Sequence, residues 1–147
     1  MPTNFNATIF LVDDDAMCLN LYQQFLKQLG YTNVRLFDNG NDCLESLDTV
    51  NPDIIFLDYN MDELNGIDVL KQIKKFNPAI TVLFISGQED IEVAVNAMKQ
   101  GALDYVVKSS LNPEKMKKIM ERIENLSPQQ PGNGDDKKSS LIKRLFS

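Results

Sequence analysis

Four apolar residues, Ile54-Ile-Phe-Leu57, run directly into an acid, Asp58, and then into a polar loop that closes at Gly66. A run this short, rich in β-branched and aromatic residues, reads as a strand covered on both faces. Such a strand has no polar side to offer water. It needs helices above and below it, and a parallel sheet is the arrangement that supplies them.

The rest of the chain repeats that demand. Ile9–Val12, Ile80–Ile85 and Tyr105–Val107 are further short apolar runs, and Asn33–Phe37 alternates enough for a second strand in chain order. Between the runs, apolar residues recur at helical spacing. They are Leu19, Tyr22, Leu26 and Leu29, then Leu44 and Leu47, then Ile67, Leu70 and Ile73 with Lys74. Ile91, Val95 and Met98 share a face of a fourth helix, and Met116, Ile119, Met120 and Ile123 form the stripe of a fifth. Asp15 and Asp90 are placed to cap helices, Gly30 and Gly101 to end them, and Asn112-Pro113-Glu114 to start the last. Asn39-Gly40 reads as a turn, and Gly66 as the residue before the third helix. Five strands alternating with five helices predict an α/β, three-layer, doubly wound (βα)5 fold. With right-handed crossovers, the natural strand order is 2-1-3-4-5.

A chain of 147 residues suits one domain, expected over residues 7–126. Residues 127–136, Ser-Pro-Gln-Gln-Pro-Gly-Asn-Gly-Asp-Asp, read as a flexible linker, and 137–147 as a basic and apolar tail. No second folded domain is expected after 126, hence no DNA-binding output unit. No signal core or membrane-length apolar stretch is present, so a cytoplasmic protein is expected. The net charge of −6 conceals a tail of +2, leaving −8 on residues 1–126. That balance argues against the folded part lying on nucleic acid. The chain has no histidine, and its two cysteines, Cys18 and Cys43, are far apart in sequence. A zinc site or a Ser-His-Asp triad cannot be built, and buried free thiols are expected.

The chemistry collects at the strand ends. The first strand runs into Asp13 and Asp14, the third into Asp58, the fourth into Ser86 and the fifth into Lys108. In a parallel winding all of these emerge on one face, where open α/β sheets bind ligands. Gathered carboxylates repel unless a cation joins them. Oxygen ligands without His or Cys suit Mg²⁺. A lysine and a hydroxyl opposite can hold the remaining oxygens of a phosphoryl group, which makes this a place to put phosphate on a carboxylate. Taken singly, each residue has an ordinary explanation: helix-entry acids, a turn serine, a solvated lysine. Their recurrence at successive strand ends is what those explanations do not cover.

With this motif set the sequence closely resembles a response regulator receiver domain of two-component signalling, single-domain and CheY-like (flavodoxin-like in fold), over about residues 7–126. The resemblance implies that Asp58 is the phosphoacceptor and that Asp13 and Asp14 hold Mg²⁺ with it. It implies that the backbone carbonyl of Asn60 completes the protein ligands, that Lys108 binds the phosphate, and that Ser86 and Tyr105 are the switching pair. It further implies a histidine kinase or phosphotransfer protein as donor, a downstream protein target, and room for a dimer formed on phosphorylation. Nucleic acid and membrane are not implied. Two positions depart from the family pattern: Asp62 and Ser109 stand where proline is usual, and the second leaves open the geometry after Lys108.

An aspartyl-phosphate phosphohydrolase would also place its nucleophile after a strand. Its second acid, two residues on, is here Asn60, which cannot protonate a leaving group. A receiver-like interaction module that works without phosphorylation is the other alternative. In the tail, helical spacing would put Leu141, Ile142, Leu145 and Phe146 on one side, with Lys138, Lys143 and Arg144 on the flanks. This predicts either a disordered basic tail or a docking peptide for a partner's groove or another receiver's acidic body.

Overall fold

The computed structural model describes residues 5–61 and 64–126. Five strands, β1 (Ile9–Val12), β2 (Val34–Phe37), β3 (Ile54–Asp58), β4 (Thr81–Ser86) and β5 (Asp104–Val107), form one sheet. They pair parallel throughout in the order β2-β1-β3-β4-β5, the predicted winding. The helices are α1 (Ala16–Gln28), α2 (Gly40–Ser46), α3 (Gly66–Phe76), α4 (Ile91–Lys99) and α5 (Pro113–Leu126), with a 3-10 turn over Lys108–Ser110. No described helix is long and apolar enough to cross a membrane.

Alternation along the strands divides the core into two layers. Ile9, Leu11, Ile54, Phe56, Leu83, Ile85 and Val106 pack with α1 and α5. Phe10, Val12, Ile55, Leu57, Val82 and Phe84 pack with α2, α3 and the inner side of α4. The central strands β1 and β3 are buried along their whole length, whereas edge strand β2 exposes Arg35 and Leu36. The unbroken apolar runs of the sequence are thus the central strands.

Local signals hold at the helix ends. Asp15 caps α1 by accepting from the Met17 amide, Asp90 caps α4 at Glu92 and Val93, and Asn112 accepts from Lys115 before α5. Gly30 and Gly101 end their helices at φ of 106° and 105°, a region that favours glycine. Asn39-Gly40 behaves differently from the expected turn. Asn39 accepts from the Asp42 amide as a cap, and Gly40 opens α2 against Val69, where a Cβ would have no room. Gly66 is likewise the first residue of α3 rather than the one before it. Of the two thiols, Cys43 is buried but Cys18 only half-buried, because it lies on the flank of α1.

The fourth helix holds the largest surprise in packing. Ile91, Val95 and Met98 do share a face, but Ile91 is 77% and Val95 46% exposed. Only Ala97 of α4 is fully buried. The side chains that would ordinarily anchor a helix here point outward.

Candidate functional site at the carboxyl ends of the strands

Register brings the acids together. Val12 pairs with Leu57, so one step further Asp13 and Asp58 stand side by side on the same face of the sheet. Asp58 pairs with Ile85 and Ile85 with Val106. Lys108, two residues beyond Val106, therefore projects from the same face and reaches back across β4. Its Nζ lies 3.0 Å from Asp13 Oδ2 and 3.4 Å from Asp58 Oδ2.

Both acids are buried, Asp58 at 1% and Asp13 at 2% exposure. The second oxygen of Asp13 accepts from the Asp15 amide at 2.9 Å, which ties the acid to the entry of α1. Apart from the Lys108 ammonium and the Asn60 amide, the buried Asp58 oxygens and Asp13 Oδ2 meet no donor among the described residues, so two carboxylates share one cation. Such groups are costly in a folded interior and call for a missing partner. Carboxylate oxygens of Asp13, Asp14 and Asp58 all lie within 4.8 Å of one another, with Asp14 exposed toward solvent. The donor set is all oxygen, partly orphaned and open on one side, which fits a hard divalent cation.

Burial, reinforced by the neighbouring charge of Asp13, raises the Asp58 carboxyl to about 7, although Lys108 and the Asn60 amide pull the other way. For Lys108, burial opposes the ammonium while Asp13 and Asp58 favour it, and the net displacement is upward. The lysine therefore stays cationic and neutralises part of the acidic cluster.

Ser86 ends β4 at 2% exposure. Its Oγ accepts from the Gln88 amide at 3.2 Å, while the Tyr105 hydroxyl donates to the Gln88 carbonyl at 2.6 Å. One peptide residue thus joins Ser86 to Tyr105, whose ring packs against Phe84 at 6.3 Å. Nothing in the sequence singled out Gln88, because both contacts use its backbone. The spacing Ser-x-x, which allows a hydroxyl to meet the amide two residues on, was the available signal. Gly66 was read only as a helix boundary. A Cβ there would stand 2.6 Å from the Asp58 carbonyl oxygen and 2.8 Å from the Tyr59 Cα, so α3 begins directly against the acid's backbone. After Lys108 the chain enters the 3-10 turn, and no cis peptide bond occurs among the described residues. Asp62 lies outside them.

A family model described as response regulator receiver domain matches residues 9–123. The chain belongs to that family. Receivers are phosphoacceptor signalling modules rather than classical enzymes. This receiver is 42% identical over 106 residues to the transcriptional regulatory protein ZraR of Escherichia coli K12, covering 72% of this chain and 24% of that protein. It is 31% identical over 131 residues to the DNA-binding transcriptional regulator NtrC of Proteus hauseri, covering 88% of this chain and 28% of that one. The chain thus spans about a quarter of the length of these curated relatives. Among solved structures, the receiver domain of NtrX from Brucella abortus aligns with a TM-score of 0.74 at 30% identity, covering 81% of this chain and 99% of that one. A BeF3-activated DrrB receiver domain aligns at 0.73 and 29%, covering 82% and 98%.

Proposed function

We propose that this receiver, over residues 7–126, accepts a phosphoryl group on Asp58 from a phosphohistidine of a histidine kinase or phosphotransfer protein in the cytoplasm, in a Mg²⁺-dependent reaction. The observation that carries this reading is the buried, under-neutralised Asp58 carboxylate beside two further acids and a single lysine. A carboxylate oxygen of Asp58 attacks phosphorus as the bond to the donor nitrogen breaks. Lys108 sits where it can bind an oxygen of the transferred group, and Ser86 is the neutral hydroxyl at the neighbouring strand end. Asp13, Asp14, Asp58 and the Asn60 carbonyl are the residues that would hold Mg²⁺, which when bound neutralises charge gathering on the phosphoryl oxygens.

The acyl phosphate carries about −1.5 to −2 charges where the carboxylate carried one, and it adds strong acceptor oxygens at the strand end. Ser86 turning toward it would release the Gln88 amide, and Gln88 also receives the Tyr105 hydroxyl. Gln88 lies two residues before the cap of α4. The switch therefore acts on α4, β5 and α5, biasing binding of a downstream protein or of a second receiver.

Incubation with acetyl phosphate and Mg²⁺ tests the proposal. Wild type should acquire one phosphoryl group, seen as a retarded band on a Phos-tag gel or a mass shift. Asp58→Ala should not, and EDTA should suppress labelling. An unlabelled wild type, or Asp58→Ala labelled as well as wild type, would refute it.

A further inference from the structure

We propose that residues 137–147 of this chain dock on the exposed face of their own α4. Ile91 and Val95 sit one helical turn apart, 77% and 46% exposed. The same helix entry carries Glu89, Asp90 and Glu92, all exposed. Apolar residues next to a tight group of acids suit an occupant that is both apolar and cationic.

The chain carries such a segment. Lys137, Lys138, Lys143 and Arg144 surround Leu141, Ile142, Leu145 and Phe146. The pairs Leu141–Leu145 and Ile142–Phe146 repeat the four-residue spacing of Ile91–Val95, so two one-turn apolar ridges can lie against each other. Charge complements along the same contact, with lysine and arginine against the three carboxylates.

Reach agrees. Both α4 and α5 follow strands of a parallel sheet, so the start of α4 and the end of α5 lie at opposite ends of the molecule. Fourteen residues of α5 account for about 20 Å along the molecule at 1.5 Å per residue, and because α4 and α5 lie on opposite faces of the sheet the tail must also pass around the β5 edge. Fourteen residues, 127–140, lie between Leu126 and Leu141. Fully extended, a chain of that length reaches about 46–50 Å, enough for this path. A linker able to span its two sites makes the second contact intramolecular and raises its effective concentration. A contact too weak to hold between molecules can therefore form within one.

The alternative apolar patch, Met17 and Leu21 on α1, also has exposed acids at its helix entry, Asp14 and Asp15, but Asp14 belongs to the cluster around Asp58, so fewer carboxylates there are available to meet the tail's charge. Neither the α4 face nor the tail supplies a group to the Asp58 site, so docking can be tested without phosphorylation.

Methyl NMR on the full chain tests it. The Ile91 and Val95 methyls should show cross-peaks to the Phe146 ring, at positions unchanged on dilution. In Leu145→Asp/Phe146→Asp those cross-peaks should vanish and the methyl signals move. A synthetic peptide of residues 137–147, added at millimolar concentration to that variant, should move them back. Identical methyl spectra for wild type and variant would overturn the proposal. So would cross-peaks that appear only between differently labelled copies, which would make the occupant a second chain. Perturbation confined to Met17 and Leu21 would place the tail on α1 and also overturn it. The variant's labelling by acetyl phosphate should equal wild type, and this keeps any failure here separate from a failure at Asp58.

Discussion

Asp58 is held in a position that the folded chain alone would not choose for a charge. Its carboxyl is buried, faces Asp13, and is raised to about 7 from an ordinary value of 3.8. Between those two values the folded state binds more protons than the unfolded one, so stability falls as pH rises through that window. Above about pH 7 the loss is complete. Each unit corresponds to about 1.4 kcal/mol, so the cost is on the order of a few kcal/mol. Asp58→Asn removes the charge while keeping the shape. In EDTA at pH 8 it should melt at least about 5 °C above wild type. The difference should shrink at pH 5.5, where wild-type Asp58 is protonated, and again when Mg²⁺ is added to wild type. Equal melting temperatures at pH 8 would mean that the acid is not strained. The five polar strand-end residues were legible in the sequence because each interrupts an apolar run. The strain on Asp58 was not, since it depends on the Val12–Leu57 register that sets Asp13 beside it.

Element by element, the sequence announced what was written in side chains and hid what was written in backbone. Caps at Asp15, Asp90 and Asn112 could be read directly, because a capping carboxylate or amide is a residue type at a fixed offset. The roles of Gly40 and Gly66 could not, because a glycine required for close approach looks the same as one required for a turn. Gly66 offers a direct comparison of effects. Helix propensity alone would favour alanine by about 1 kcal/mol. Against that, the new Cβ would meet the Asp58 carbonyl oxygen at 2.6 Å and Phe84 Cζ at 2.9 Å. Backbone cannot yield as a flexible side chain does, so overlap should win by about 1–3 kcal/mol. Gly87 is the control, since a Cβ there meets nothing within 4 Å. In urea melts, Gly66→Ala should lower the unfolding midpoint while Gly87→Ala leaves it unchanged or slightly higher. A neutral Gly66→Ala would show that α3 can shift away from β3 at little cost.

Across the whole molecule, the two helical layers are anchored unequally, and the weak point is the element on which the proposed switch would act. α3 buries Ile67, Val69, Leu70 and Ile73, and α5 buries Met116, Ile119, Met120 and Ile123. Each such side chain contributes about 1.5–3 kcal/mol. α4 buries Ala97 alone, over nine residues, a length at which an isolated helix is not stable in water. Its register in the sequence, with Ile91 and Val95 turned outward, leaves only half-buried Val93, Ala94 and Met98 to assist. Local opening of α4 should therefore cost less than global unfolding, whereas opening of α3 or α5 should approach it. In native-state hydrogen exchange of the Leu145→Asp/Phe146→Asp variant, which leaves α4 to its own packing, amides of residues 95–99 should exchange faster than those of 70–75 in α3 and 119–123 in α5. Beryllofluoride with Mg²⁺, standing in for the phosphoryl group at Asp58, should slow α4 selectively if the Ser86–Gln88–Tyr105 contacts transmit the change. Exchange in α4 as slow as in α3 would contradict the packing argument, because then some contact beyond Ala97 must hold the helix. Unequal exchange that ignores beryllofluoride would leave the weak helix in place but sever it from the phosphorylation site.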